Sequence, residues 1–355
     1  MKRLGGLLAL AVLVAQETRP FDAEPYSPRQ AICYHAGAPM VIDGRLDEPS
    51  WRAAPWSEPF VDIEGGIRPK PALLTRMKML WDDEYLYIGA DLEEPHVWAT
   101  LTARDAVIFH DNDFEVFIDP DGDTHEYYEL EINALNTVWD LMLVRPYRDG
   151  GPALNAWDIT GLKTGVHVRG TLNHAGDTDD GWSVEIAMPW KILREAAPGA
   201  RPPRAGDRWR MNFSRVQWTV DIKDGAYAKR RDAAGNPLAE HNWVWSPQGA
   251  IAMHMPERWG AVQFSAVVAG QGLDRVVADP DDAVKWALRR LYYRQGEFRS
   301  RHGRYARTLK ELNSPDVGVS ATLHATDHLY VLTAPSPSGG IVHLRQDGRV
   351  WAVER

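Results

Sequence analysis

The chain has 355 residues, 44% hydrophobic and 25% charged, with a formal net charge of −9. That length admits two domains and a sizeable core, and the composition is globular, not disordered. The single Cys33 excludes an intrachain disulfide and a cysteine-based metal cluster, and the missing C-x-x-C-H excludes covalently attached haem. Charge is uneven: residues 271–355 carry 13 Lys+Arg against 10 Asp+Glu, which leaves −12 on residues 1–270. An acidic main body argues against nucleic acid as a partner.

The N-terminus, MKRLGGLLALAVLVAQETRP, pairs basic Lys2 and Arg3 with an apolar run over Leu4–Ala15. That is signal-peptide length and short for a membrane span. Residues 1–15 are therefore expected to be a signal peptide, residues 16–31 a Pro-rich leader, and the chain secreted or periplasmic; an uncleaved anchor is the rival. From 32 to 268 short alternating runs are separated by Gly, Asp and Pro, which predicts an all-β main domain. Strands are expected at 73–82, 85–93, 113–119, 127–135, 137–144, 164–173, 181–189 and 208–218, with a helical turn at Trp190–Glu195. Many short strands with few helices predict a β-sandwich, jelly-roll-like in type. After a linker at 269–278, Asp279-Pro280-Asp281-Asp282 reads as a helix start: Asp as N-cap, Pro first, acids on the positive end of the dipole. Apolar residues then recur at helical spacing to Gly303, a natural terminator. Strands at 318–324, 328–334, 341–345 and 349–354 complete a small α+β C-terminal domain over 279–355.

Three stretches of the body form one collinear pattern. They are VIDGRLDEPSW (41–51), the run from WDDEYLYIGADLEE to HDNDFEVFIDPDGD (81–123), and GWSVEIAMPW (181–190) followed by GDRWRMNFSRVQW (206–218). Over residues 38–265 this resembles the family 9 carbohydrate-binding modules. The resemblance implies a sugar-binding β-sandwich, often calcium-bound, that does no chemistry. It also implies a sugar ring clamped between two tryptophans.

The residues carry their own reading. Alternate residues of a strand share a face. Phe114, Val116 and Ile118 therefore point one way, and Asp113, Glu115, Phe117 and Asp119 the other. Tyr127, Glu129, Glu131 and Asn133 share one face of the next strand. With Arg215 and Gln217 these residues predict one surface bearing carboxylates, an Arg, a Gln and aromatic rings. Such equipment holds sugars, by stacking on the ring and hydrogen bonds to its hydroxyls. The bland alternative is a structural Glu115–Arg215 ion pair. Paired carboxylates on neighbouring strands would also suit a glycoside hydrolase, although no other catalytic motif accompanies them.

Asp119, Asp121 and Asp123 have the D-x-D-x-D spacing that folds oxygens around a hard cation. A turn of solvated aspartates is the favoured reading, with a structural calcium ion bracing the loop as the alternative. The loop HNWVWSPQGAIAMHMPERW (241–259) mixes aromatics and amides, where function tends to sit. Trp218, Asn242, Trp243, Trp245 and His254 are the candidate ligand-contacting residues of this region. Trp51, Trp81, Trp182 and Trp209 read as core. His254 with Met255 also matches a haem-ligand pair on a loop. The expected partner is a mono- or oligosaccharide. The run LRRLYYRQGEFRSRHGRYARTLKEL (288–312) resembles the helix-to-sheet junction of type IV pilin-like proteins, and Lys285–Lys310 hold nine basic residues against one acid. That stretch is a solvated helix face packing on the small sheet, or a docking surface for acidic glycans, membrane or the acidic main body; the C-terminal domain as a whole could serve a protein or cell-surface partner. A module that has lost sugar binding and serves as a cell-surface interaction domain is the third reading.

Overall fold

The computed structural model of the chain describes residues 26–313 and 317–353. The expected signal peptide and residues 16–25 of the expected leader lie outside the described residues. Among the described residues no helix is long and apolar enough to cross a membrane.

The body is all-β. Its strands are β1 (Gln30–His35), β2 (Val61–Asp62), β3 (Thr75–Trp81), β4 (Tyr85–Leu92), β5 (Asp113–Asp119), β6 (Tyr127–Asn133), β7 (Val138–Leu143) and β8 (Ala153–Leu154). They continue with β9 (Lys163–Arg169), β10 (Gly181–Pro189), β11 (Arg208–Gln217), β12 (Val220–Lys223), β13 (Ala226–Lys229), β14 (His241–Val244) and β15 (Gly260–Val268). Two helical turns, α1 (Pro49–Ala53) and α2 (Trp190–Leu193), interrupt them. All but the β12–β13 hairpin belong to one hydrogen-bonded path, β8-β7-β6-β5-β11-β15-β1-β3-β4-β10-β9, from which β14 and β2 branch.

Strand β11 divides that path into two layers. One edge pairs with β5 along most of its length. The other edge pairs first with β15 over 208–211 and then with β14 over 214–217. Two partners on one edge must diverge, so the sheet folds over into a sandwich. Phe114, Val116 and Ile118 of β5 and Leu130 and Ile132 of β6 thereby share one core with Met79, Ile88 and Ile186 of the facing layer.

Two signature segments have local physical causes. Glu185, in the W-x-x-E strand, accepts hydrogen bonds from the backbone N–H of Asp43 and Gly44, both at 2.8 Å, and from the Trp51 indole. This ties the opening I-D-G-x-x-D-E-x-x-W segment to β10. Gly44 has φ +88°, and a Cβ there would sit 2.4 Å from the Val166 backbone, so only glycine fits.

The tail packs helix α3 (Asp282–His302) on a sheet of β16 (Thr322–Ala325), β17 (Tyr330–Pro335), β18 (Ile341–Arg345) and β19 (Val350–Val353). Leu288, Leu291 and Tyr292 meet Leu332, Val342 and Leu344 in a core of their own. The helix ends as expected, with Gly303 at φ 71°, but it starts three residues beyond the expected N-cap Asp279. Asp279 instead accepts the Asp281 N–H at 2.9 Å and pairs with Lys285 at 2.9 Å, which closes a turn before the helix.

Polar contacts join the tail to the body. Arg148 donates to Glu257 at 2.9 Å, and the hydroxyls of Tyr292 and Tyr293 reach Asp149 and Glu257. Burial alone would raise the Glu257 carboxyl, but Arg148 and Arg289 hold it at about 2, below its ordinary 4.5. A carboxyl depressed on folding contributes stability above its unfolded value and loses it as pH falls towards the folded one. Thermal melts should therefore show stability dropping between about pH 4.5 and about pH 2. The drop should be shallower in Glu257→Gln.

Candidate functional site

The outer face of β5, β6 and β11 is set by pairing register. Across the strands, Glu115 lies opposite Glu131 on one side and Ser214 on the other. Glu131 in turn faces Trp139 of β7, and Asp113 faces Val216 of β11. The apolar parity of β5 and β6 is spent on the core, so their carboxylates collect on the opposite face. Asp113, Glu115, Glu129 and Glu131 are all buried there, none more than 5% exposed.

These four groups are short of partners. Glu131 accepts the Phe109 N–H at 2.9 Å, and one Asp113 oxygen accepts the Val216 N–H at 3.2 Å. Asp113 Oδ2 and Glu129 Oε2 are buried with no hydrogen bond. Among the described residues, no ion pair joins a Lys, Arg or His to any of the four. Burial, and then the repulsion of neighbouring carboxylates, pushes Asp113, Glu129 and Glu131 well above the carboxylate range. Burial likewise raises Glu115 to about 7, although Ser214 opposes the shift.

Aromatic rings border the patch. Trp218 follows β11 with its indole N–H on the Phe109 carbonyl at 2.8 Å, and Lys229 sits 3.2 Å above its ring. At the other end His254 packs edge-on to Phe117 and Tyr147 and shares a 3.0 Å hydrogen bond with Tyr127. Burial and Arg148 lower its imidazole to about 4, so it is neutral near pH 7. Tyr147 is 51% exposed.

The structure thus gathers Glu115, Trp218, Asn242 and His254 on one face; Asn242 stands opposite Val216 in the register. It does not bring Arg215 and Gln217 there. Residue 214, not 215, is the cross-strand partner of Glu115, so Arg215 points to the sandwich interior beside Phe114. Its guanidinium donates to Glu94 at 3.0 Å, Thr75 at 2.9 Å and Gln217 at 2.6 and 2.9 Å. The ion pair expected between Glu115 and Arg215 is therefore replaced by one between Glu94 and Arg215. Trp243 pairs with Arg215 in register and Trp245 lies against Phe213, so both are core residues, not rim. Gly260 is their accomplice: a Cβ there would sit 2.2 Å from the Trp245 ring. Phe109, Trp139 and Tyr147 were not among the expected site residues. The alternation of TVWDLML marks Trp139 as sharing a face with Leu141, and that was the available signal.

The aspartate turn is closed by its own bonds. Asp119 accepts the Gly122 and Thr124 N–H groups at 2.9 and 3.0 Å, and Asp121 accepts that of Asp123 at 3.1 Å. Asp123 accepts the His125 N–H and the Arg349 guanidinium, both at 2.7 Å. The turn is also a docking point for the tail, since Val350 N–H reaches the Asp123 carbonyl at 3.1 Å.

Removing one partner of a buried ion pair leaves an uncompensated charge and costs about 3–5 kcal/mol. Arg215→Ala should lower unfolding free energy in denaturant titrations by that order, because Glu94 is stranded in the core. Glu115→Gln should not destabilise metal-free protein near neutral pH, because it removes charge from an unpaired cluster.

Comparison with known proteins places these features. The family model for carbohydrate family 9 binding domain-like proteins matches residues 42–264. The exoglucanase XynX of Acetivibrio thermocellus is 24% identical over 166 residues, 47% of this chain and 13% of that protein. The endo-1,4-beta-xylanase A of Thermoanaerobacterium saccharolyticum is 27% identical over 153 residues, 43% of this chain and 11% of that protein. The chain thus spans roughly an eighth of the length of these curated relatives. A family 9 carbohydrate binding module from Caldicellulosiruptor kristjanssonii, solved with cellotriose, covers 70% of this chain and all of its own at 15% identity and TM-score 0.41. The same module solved with glucose gives 70%, 100%, 15% and 0.40. With its collinear signature and a match over more than half its length, the chain belongs to the carbohydrate family 9 binding domain-like proteins.

Proposed function

We propose that the chain binds a carbohydrate on the outer face of β5, β6 and β11. One observation carries this reading: carboxylate oxygens that have no protein partner collect on one face bordered by aromatic rings. Buried polar atoms without partners are costly, and sugar hydroxyls are donors that satisfy carboxylates. Phe109, Trp139 and Tyr147 offer ring surface at the same patch, which suits the apolar side of a pyranose. Family membership supports the class of ligand. The names of the curated relatives make xylan- and glucan-derived oligosaccharides the first to try. The N-terminal run of basic then apolar residues supports an exported protein.

The reading is of binding without turnover. Glycoside hydrolysis sets an acid of raised pKa against a second carboxylate in a different environment. Here all four carboxyls share one buried environment, and burial raises each of them. This supports a lectin-like role over hydrolysis.

Calorimetric titration of the full chain with xylo-, cello- and manno-oligosaccharides tests the proposal. Saturable heat is expected, weakened at least about tenfold by Glu115→Gln, since a hydrogen bond to a charged group is worth about 1.5–3 kcal/mol. Trp243→Ala should act through lost stability. The proposal is overturned by absence of heat with every sugar, or by release of reducing ends that Glu115→Gln abolishes.

A further inference from the structure

We infer that the cleft between the tail and the β7–β8 connection binds an acidic oligosaccharide, with Arg145 and Arg299 meeting its carboxylates. The cleft has a volume of about 900 Å³. That is near the upper end of small-ligand sites, about 300–1,000 Å³, and too roomy for a lone ion. Its walls come from both parts of the chain. The body gives Arg145, Arg148 and Asp149, and the tail gives helix α3 with the β16–β17 and β18–β19 turns. Most of this lining lies beyond residue 264, where the family match ends.

Two observations point to this ligand. The first is cationic charge that the protein leaves unanswered. Arg299 donates to the Tyr305 hydroxyl at 2.7 Å and lies 4.8 Å over that ring, and among the described residues no carboxylate pairs with it. Arg145 comes only to 4.0 Å of Asp347, whose oxygens Arg345 already holds at 2.6 and 2.9 Å. Arg148, by contrast, is answered by Glu257 at 2.9 Å. A free guanidinium takes a carboxylate bidentately. The second observation is Gly296, the single glycine of helix α3, which is exposed and lines the cleft. Glycine weakens a helix interior, yet a Cβ at 296 would meet nothing within 4 Å. Packing within the chain therefore does not require glycine there, and the bare backbone leaves a flat floor. Leu329, 58% exposed, adds apolar surface to the same cleft. The C–H face of a pyranose ring suits such surface, while a carboxylate on the ring meets the arginines. An acidic peptide fits less well. The lining is a helix face and turns, and Tyr330 belongs to β17, which is paired on both sides, so the cleft offers no free strand edge.

Binding here does not depend on a sugar on the outer face of β5, β6 and β11. The full chain is titrated by calorimetry with trigalacturonate, with its carboxyl-reduced neutral counterpart and with hexaglutamate. Saturable binding of trigalacturonate near one per chain is expected, with no heat from the other two. Arg145→Gln and Arg299→Gln should each weaken it at least about tenfold, through loss of a charge-assisted hydrogen bond. Gly296→Leu should weaken it as well by filling the floor, while keeping or raising the thermal midpoint, because leucine favours a helix. A glycine needed only for folding would give the reverse. Arg194→Gln, at an exposed arginine of the body, should leave binding unchanged. Circular dichroism melts confirm that each variant is folded. Absence of saturable heat with trigalacturonate at millimolar concentration overturns the inference. So does equal affinity for hexaglutamate or the neutral sugar, and so does unchanged affinity in folded Arg145→Gln, Arg299→Gln and Gly296→Leu.

Discussion

The pleat of β5, β6 and β11 is the constraint on which the other features depend. A strand sends successive side chains to opposite faces. Once Phe114, Val116 and Ile118 are committed to the core, Asp113, Glu115 and Phe117 have no choice of side. The same rule in β6 puts Glu129 and Glu131 next to them. Four carboxylates therefore meet because the apolar side chains of the opposite parity had to be buried. Their mutual repulsion is tolerable only if protons, a ligand or an ion shares the patch, and that requirement turns a packing consequence into a functional one.

Other carboxylates of the body show what a structural role looks like. Glu185 fixes the opening loop through two backbone N–H groups and an indole. Glu94 takes Arg215, Asn112 and the His96 N–H. Asp123 ties the turn after β5 to the tail through Arg349. In each case the buried charge is neutralised or hydrogen-bonded, as buried charges are when they serve architecture. Asp113 Oδ2 and Glu129 Oε2 lack such partners. The difference between the two sets, and not acidity itself, marks the candidate face.

Much of this was legible in the sequence, and the failures share one cause. Strands 113–119 and 181–189 were read to the residue, because alternation and turn residues bound them. The sandwich followed from strand count, and the collinear motifs pointed to the family. Alternation within one strand, however, says nothing about which residue of a neighbour lies alongside. Arg215 belongs with Glu115 only if the β5–β11 register shifts by one, and a one-residue slip exchanges faces. The same parity, carried from β11 to β14, sends Trp243 inside. The tryptophan-rich loop looked like a rim because composition does not reveal register. The central parallel strands β1 and β15 were not among the clearest strands for a related reason: their partners are more than two hundred residues apart in the chain. The helix start at 279 was misplaced because an aspartate can close a preceding turn as readily as cap a helix.

Ligand binding on the outer face of β5, β6 and β11 requires that one side of β11, and not the other, meets the sugar. Tryptophan indole N–H resonances of the isotope-labelled chain, assigned by single substitutions, report this directly during titration with an oligosaccharide. Shifts are expected at Trp139 and Trp218, with Trp243 and Trp245 unmoved. Shifts confined to Trp243 and Trp245 would place the ligand on the other face and contradict outer-face binding.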